Sequence, residues 1–271
     1  MNIYINGKYS QLEDSKELLE PGFLFGWGIF ESMRLRNSEI PFFSMHTERL
    51  KNSCKFLGIE TPEENWQDII NRLVSENNLN EGYLRITVYK KREGTGVTVY
   101  VNKFSYYNAS DYQKGFKAIS SPQRRSSGAV SSKVKSISYL DNRLAWFEAQ
   151  RRGKQEAIIF NHKGILCGGA RSNIFLIKEG KVFTPSLQDG AFPGITRQVI
   201  INIAGVLSIP LREEELSEGD IIGCEEAFIT SSLMEVMPLT EYNERIVGSG
   251  KPGKITLKFL EEYRSTFYGK S

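Results

Sequence analysis

Apolar and polar residues alternate most clearly in two stretches of the first half. Tyr83–Tyr89 (YLRITVY) and Val97–Phe104 (VTVYVNKF) are rich in β-branched and aromatic residues, which predicts two strands joined by the turn-like KKREGTG. NIYINGK at the start predicts a strand that ends in an Asn-Gly hairpin turn. Gly28–Leu35 has β character and is followed by a turn at residues 36–38. Met45, Leu50, Cys54 and Leu57 fall near helical spacing. A second helix is expected with Pro62 in its first turn, running through Trp66, Ile69, Ile70 and Leu73 to Val74.

Beyond residue 140 the pattern predicts helices over Leu144–Arg151, Ile195–Leu207 and, amphipathic, Pro252–Tyr268. Strands are expected at Ala157–Phe160, Asn173–Ile177, Val182–Thr184 and Ala227–Thr230, with Glu179-Gly180 as a turn. Ser121–Ser132 (SPQRRSSGAVSS) lacks periodicity and reads as a linker. The resulting expectation is an N-terminal α+β domain over residues 1–118 and a C-terminal α/β domain over residues 119–271. No Gly-x-Gly-x-x-Gly turn follows a strand, so a dinucleotide fold lacks its signature.

Composition narrows the function. With 40% apolar and 25% charged residues in 271, the chain can bury an ordinary globular core. A net charge of only +3 gives no basis for a nucleic-acid partner. Cys54, Cys167 and Cys224 are widely spaced with no Cys-x-x-Cys pair, which argues against a disulfide framework and a zinc site. No signal-like start and no apolar run near the roughly 20 residues that span a bilayer are seen, so no membrane partner and a cytoplasmic location are expected. His46 and His162 are the only histidines, and no Gly-x-Ser-x-Gly elbow or Walker A loop occurs.

Eight segments remain: NGKY, FGWGIFESMR, HTERLKNS, KSISYL, EAIIFNHKG, SNIFLIKEGKVFTP, GITRQVII and EAFITSSLMEVMPL. Their order and spacing resemble the class IV aminotransferase family, which includes branched-chain and D-amino acid aminotransferases and 4-amino-4-deoxychorismate lyase. The resemblance implies a two-domain fold like that of D-amino acid aminotransferase, with a barrel-like C-terminal α/β domain, a homodimer, and pyridoxal 5′-phosphate (PLP) in the cleft between domains. Such an enzyme needs an amine that forms a Schiff base with the cofactor aldehyde and later shuttles a proton. The family register puts that amine at Lys135, a fixed distance before Glu156-Ala157, and leaves Lys133 out of register. A phosphate dianion suits the amides of a helix start and an arginine. The resemblance assigns Arg49, Ile195, Thr196, Ser231 and Ser232 to that task. Read from residue type alone, Lys135 and Lys133 are equally solvated linker lysines, Arg49 an exposed helix arginine, and Thr196 a helix cap.

Several positions depart from the family. Gly168 stands where relatives carry the glutamate that binds the pyridine nitrogen, and Arg171 is the nearby group expected to approach it. On that reading Gly168→Glu would raise turnover or cofactor affinity. Trp27 replaces a common Asp, either walling the pocket or packing between strands, and Ser138 replaces Asn. Phe30 holds the aromatic position near the substrate. An Arg-x-His carboxylate trap is missing, and Arg92 or Lys90 would have to serve instead. Three functions follow: amino transfer between an amino acid and a 2-oxo acid, 4-amino-4-deoxychorismate lyase acting on an aminated chorismate, or a catalytically degenerate relative.

Overall fold

The structure is a computed structural model that describes residues 2–268. A hairpin of β1 (Asn2–Ile5) and β2 (Lys8–Gln11) opens it, turning at Asn6 and Gly7, both at positive φ. Then β3 (Gly28–Arg36), β4 (Glu81–Lys90) and β5 (Thr95–Asn102) form a three-stranded antiparallel sheet. The period of two divides its residues cleanly. Ile29, Met33, Leu35, Leu84, Ile86 and Val88 are buried against α1 (Phe43–Leu57) and α2 (Trp66–Glu76). Each such aliphatic side chain, fully removed from water, contributes about 1.5–3 kcal/mol. The α2 helix starts four residues later than the Pro62 expectation. The Asn65 side chain accepts from the Asp68 amide, and this cap fixes the start.

The larger sheet has nine strands. It includes β6 (Phe116–Arg125), β7 (Glu156–Asn161), β8 (Leu166–Gly169), β9 (Asn173–Lys178) and β10 (Lys181–Pro185). β11 (Leu211–Glu214), β12 (Glu226–Ser231), β13 (Glu235–Tyr242) and β14 (Arg245–Ile246) complete it. Their order is β11-β10-β9-β12-β13-β6-β7-β8, with β14 on β13, and the sheet curls as a half-barrel. The mixed α/β, barrel-like class expected from the sequence is the one observed.

The expected linker is a correction. Residues up to Arg125 belong to β6, which runs parallel to β13 and β7, and a short helix covers Val130–Lys133. Pro122 sits where the β6–β7 register shifts between Ser120 and Arg124, so its missing N–H breaks no ladder bond. The expected boundary between residues 118 and 119 lies inside this strand, and we propose drawing the division before Phe116.

Three long helices close the larger sheet. α3 (Leu140–Arg151) lays Ala145 and Ala149 on Ile119, Ala157 and Ile159. α4 (Ile195–Val206) and α5 (Lys254–Tyr268) cover the phenylalanines Phe175 and Phe228, whose rings stack at 4.8 Å. Two backbone contacts tie the segment that carries Lys135 to β3, where the site lies. The Phe30 amide donates to the Lys135 carbonyl at 2.8 Å, and the Ile137 amide to the Gly28 carbonyl at 3.0 Å. Buried Arg34 also pairs with Glu235 at 2.7 Å.

Candidate active site

Between the two sheets lies a cavity of about 280 Å³. The face of β3 opposite the α1 core brings Phe30 and Ser32 to its wall, and the matching face of β4 brings Tyr83 and Arg85. Lys135 enters from the segment hydrogen-bonded to β3, its Nζ 4.2 Å from the Phe30 ring centroid and 5.1 Å from that of Tyr139. Burial, then the positive charge of Arg49, and lastly that of Arg85, lower its pKa to about 7 against the opposing pull of Glu31. Much of the amine is therefore neutral near pH 7, the form in which it is a nucleophile and a base.

Across the cavity is a set of unspent donors. α4 begins at Ile195 with Gly194 as its N-cap and no side-chain cap, so its first amides are free to bind an anion. Gly194 has a packing reason: a Cβ there would collide with Asn173 Oδ1, and Asn173 Nδ2 donates to the Phe192 carbonyl at 2.7 Å. Thr196 Oγ1 and Thr230 Oγ1 are buried with no hydrogen-bond partner, although both residues line the cavity. Buried polar atoms normally find partners, so two orphans facing one space mark a place for a ligand that accepts hydrogen bonds. Ser231 and Ser232 line the same wall. Arg49 lines it too, anchored by Nη1 to the Pro193 carbonyl at 2.9 Å. The donors fit the phosphate end of PLP.

The sequence-assigned residues Lys135, Arg49, Ile195, Thr196, Ser231, Ser232 and Arg171 thus all border one cavity. Arg171 does so with its guanidinium engaged elsewhere: Nη2 donates to the Gln155 carbonyl at 3.1 Å, and the group lies 4.6 Å from the Trp146 ring centroid. Trp27 lies outside the cavity lining and is 42% exposed, its indole N–H donating to the Leu57 carbonyl at 3.0 Å. Gly168 has φ +138°, and a Cβ on it would sit 3.0 Å from the Ser172 carbonyl oxygen, so this backbone favours glycine. The wall beside it carries Ser172, whose hydroxyl donates to buried Glu156 at 2.9 Å.

Residue-type reasoning missed two members. Glu31 and His46 are both almost fully buried behind Arg49. Glu31 accepts from Arg49 Nε at 2.8 Å and Nη2 at 2.6 Å, and pairs with His46 Nδ1 at 2.7 Å. Burial alone would raise the Glu31 pKa, but the charge of Arg49 and the hydrogen bonds from His46 and Arg49 carry it down to about 2. A signal was present, because Glu31 shares the strand face of Ile29, Met33 and Leu35. A carboxylate in an apolar row needs a buried partner. The wall also carries Arg85, Arg125 and Arg143, while no Asp or Glu among the described residues lines the cavity.

Fold and cavity together set a lysine of lowered pKa opposite a helix start able to bind an anion. A family model, amino-transferase class IV, matches residues 28–242, and the chain belongs to that family. It is accordingly a PLP-dependent enzyme. It is 30% identical over 276 residues to a putative branched-chain-amino-acid aminotransferase of Methanocaldococcus jannaschii, covering 97% of this chain and 96% of the relative. The crystal structure of Escherichia coli branched-chain amino acid aminotransferase superposes with a TM-score of 0.87 at 26% identity, over 98% of this chain and 94% of that one. A putative 4-amino-4-deoxychorismate lyase from Legionella pneumophila shares the fold, with a TM-score of 0.82 at 24% identity, over 89% of this chain and 91% of that one.

Proposed function

We propose that the chain transfers amino groups between a branched-chain or similar aliphatic amino acid and a 2-oxo acid. One observation carries the reading: a lysine whose pKa is lowered to about 7 shares a cavity with two orphaned hydroxyls, Thr196 at a helix start and Thr230 on β12. Lys135 would hold the cofactor aldehyde, and Arg49, Thr196, Ser231, Ser232 and the Ile195 and Thr196 amides its phosphate. When bound there, PLP supplies the electron sink that lets a substrate α-proton leave. Lys135 Nζ accepts that proton and returns it, which its near-neutral pKa suits. Phe30, Phe104, Tyr107, Leu233 and Met234 offer apolar walls for an aliphatic side chain, and Arg85 a guanidinium for a carboxylate. Arg85 lies 3.7 Å over the Phe30 ring and spends only Nε on Thr87, at 3.1 Å.

The relatives' names support the branched-chain substrate. A second reading, 4-amino-4-deoxychorismate lyase, draws on the wall of Arg85, Arg125, Arg143 and Arg171 without a carboxylate, which suits a substrate with two acidic groups. The relatives' names lend the degenerate reading no support. Incubating the holoenzyme with leucine and 2-oxoglutarate, and separately with aminodeoxychorismate, decides the matter. Glutamate formation supports the first reading, whereas p-aminobenzoate release without amino transfer replaces it with the second.

A homodimer is part of the proposal. Phe23, Leu24 and Phe25 are exposed, as are Leu140, Leu144 and Phe147, and the Ser138 hydroxyl donating to the Gly26 carbonyl at 3.1 Å brings the two apolar segments together. Light scattering should give a mass twice that of the chain. No helix among the described residues is long and apolar enough to cross a membrane.

A further inference from the structure

Behind the cradle runs a continuous hydrogen-bonded chain, Arg49, Glu31, His46 and Ser232, fully buried at Glu31 and His46. An ionised carboxylate only accepts, so with Glu31 charged the His46 Nδ1 must bear a hydrogen and donate it, across 2.7 Å. That fixes the tautomer and leaves Nε2, 3.3 Å from Ser232 Oγ, as the nitrogen that titrates. Burial, foremost, and the charges of Arg49 and Lys135 lower the His46 pKa, against the hydrogen bond and charge of Glu31, which raise it. His46 is therefore neutral, and Nε2 accepts the single Ser232 hydrogen.

A phosphate at the cradle competes for that hydrogen. If Ser232 turned to the anion while His46 stayed neutral, Nε2 would be left buried without a donor, and such groups are rarely tolerated. Protonating His46 removes the conflict. Nε2–H then donates to Ser232 Oγ, Ser232 donates to a phosphate oxygen, and the new positive charge faces the anion. The balance is one proton taken from solvent per dianion bound, with no bond between heavy atoms made or broken.

We propose that His46 is a positioning residue that takes up a proton when a phosphate group enters the cradle and thereby aims the Ser232 hydroxyl at it. This rests on the reading of the cradle as the phosphate site of PLP. His162, the only other histidine, is exposed, so His162→Gln leaves an imidazole NMR spectrum belonging to His46 alone. Inorganic phosphate and then PLP are titrated into that variant across pH 6–9, and the visible absorbance of bound PLP is followed alongside.

The His46 midpoint is expected to rise by about one pH unit or more, with affinity falling up to about tenfold per pH unit above it. In Ser232→Ala the rise should shrink to less than half. If PLP binds and colours the protein while His46 stays neutral, the inference is wrong and the cofactor reading stands. An equal rise in Ser232→Ala removes Ser232 from the relay. If PLP gives no visible band, the reading beneath the inference fails, and the inference falls with it.

Discussion

Replacing Glu31 by glutamine removes one charge and almost no volume, so its effect reports on the buried contacts behind the cradle and not on lost packing. Glu31 is 2% exposed and accepts from Arg49 twice and from His46 once. Its pKa falls from 4.5 to about 2 on folding, so it stabilises the folded state. The sign follows from linkage: a depressed carboxyl contributes fully above its unfolded pKa and loses its contribution as pH falls through its folded one. At about 1.4 kcal/mol per pH unit, the shift is worth about 3 kcal/mol at neutral pH. An independent route gives a similar size, since breaking a buried ion pair by deleting one partner costs about 3–5 kcal/mol. Glutamine adds a further fault, because its amide hydrogens face the donors of Arg49 or His46. Urea unfolding of the apo proteins at pH 7 should show Glu31→Gln less stable by about 3–5 kcal/mol, with a melting temperature lower by roughly 6 °C or more. The gap should close between about pH 4.5 and 2. A loss below about 1 kcal/mol at pH 7 would refute the argument, since it would mean that Arg49 finds enough water to do without its counter-ion.

Lys135→Ala should bind PLP without a borohydride-stable link and lose roughly 10³-fold or more in turnover, checked by peptide mass analysis and steady-state rates. Trapping of pyridoxal, which lacks the phosphate, on the apo protein should accelerate about tenfold from pH 6 to 8 as the Lys135 amine loses its proton near 7. A rise only above pH 9 would contradict the lowered pKa. Gly168→Glu should cost roughly 1–3 kcal/mol rather than help, because position 168 has φ +138° and little room beside the Ser172 carbonyl. Thermal unfolding equal to wild type, with raised cofactor affinity, would restore the simple idea of a missing carboxylate.

Strands with strict alternation, such as β4 and β5, were legible because one face packs on helices while the other meets the cavity in β4 and is exposed in β5. β6 was not, because Ser, Arg and Pro122 disguise a strand whose order comes from two parallel neighbours far along the chain. β13 was missed for a related reason, since Pro238 interrupts its pattern yet still pairs opposite Phe228. The site residues carried by family resemblance converge on one cavity, but the resemblance said nothing about what steadies them. In the sequence His46 stands only as one of two histidines, within HTERLKNS. Its true neighbour, Glu31, lies on a different element, and their meeting depends on how α1 rotates against β3. The orientation of Arg171 toward Gln155 and Trp146 was equally out of reach of a one-dimensional pattern.

The lysine segment is stitched by backbone bonds to the small sheet, while the α4 start and the β12 turn belong to the large one. A molecule gripped at one end by Lys135 and at the other by that helix start would act as a rivet through both halves. Without it, calorimetry should resolve two melting events as each sheet lets go in its own time. Once it is seated, the two should merge into a single sharper transition at higher temperature, whichever substrate the enzyme serves.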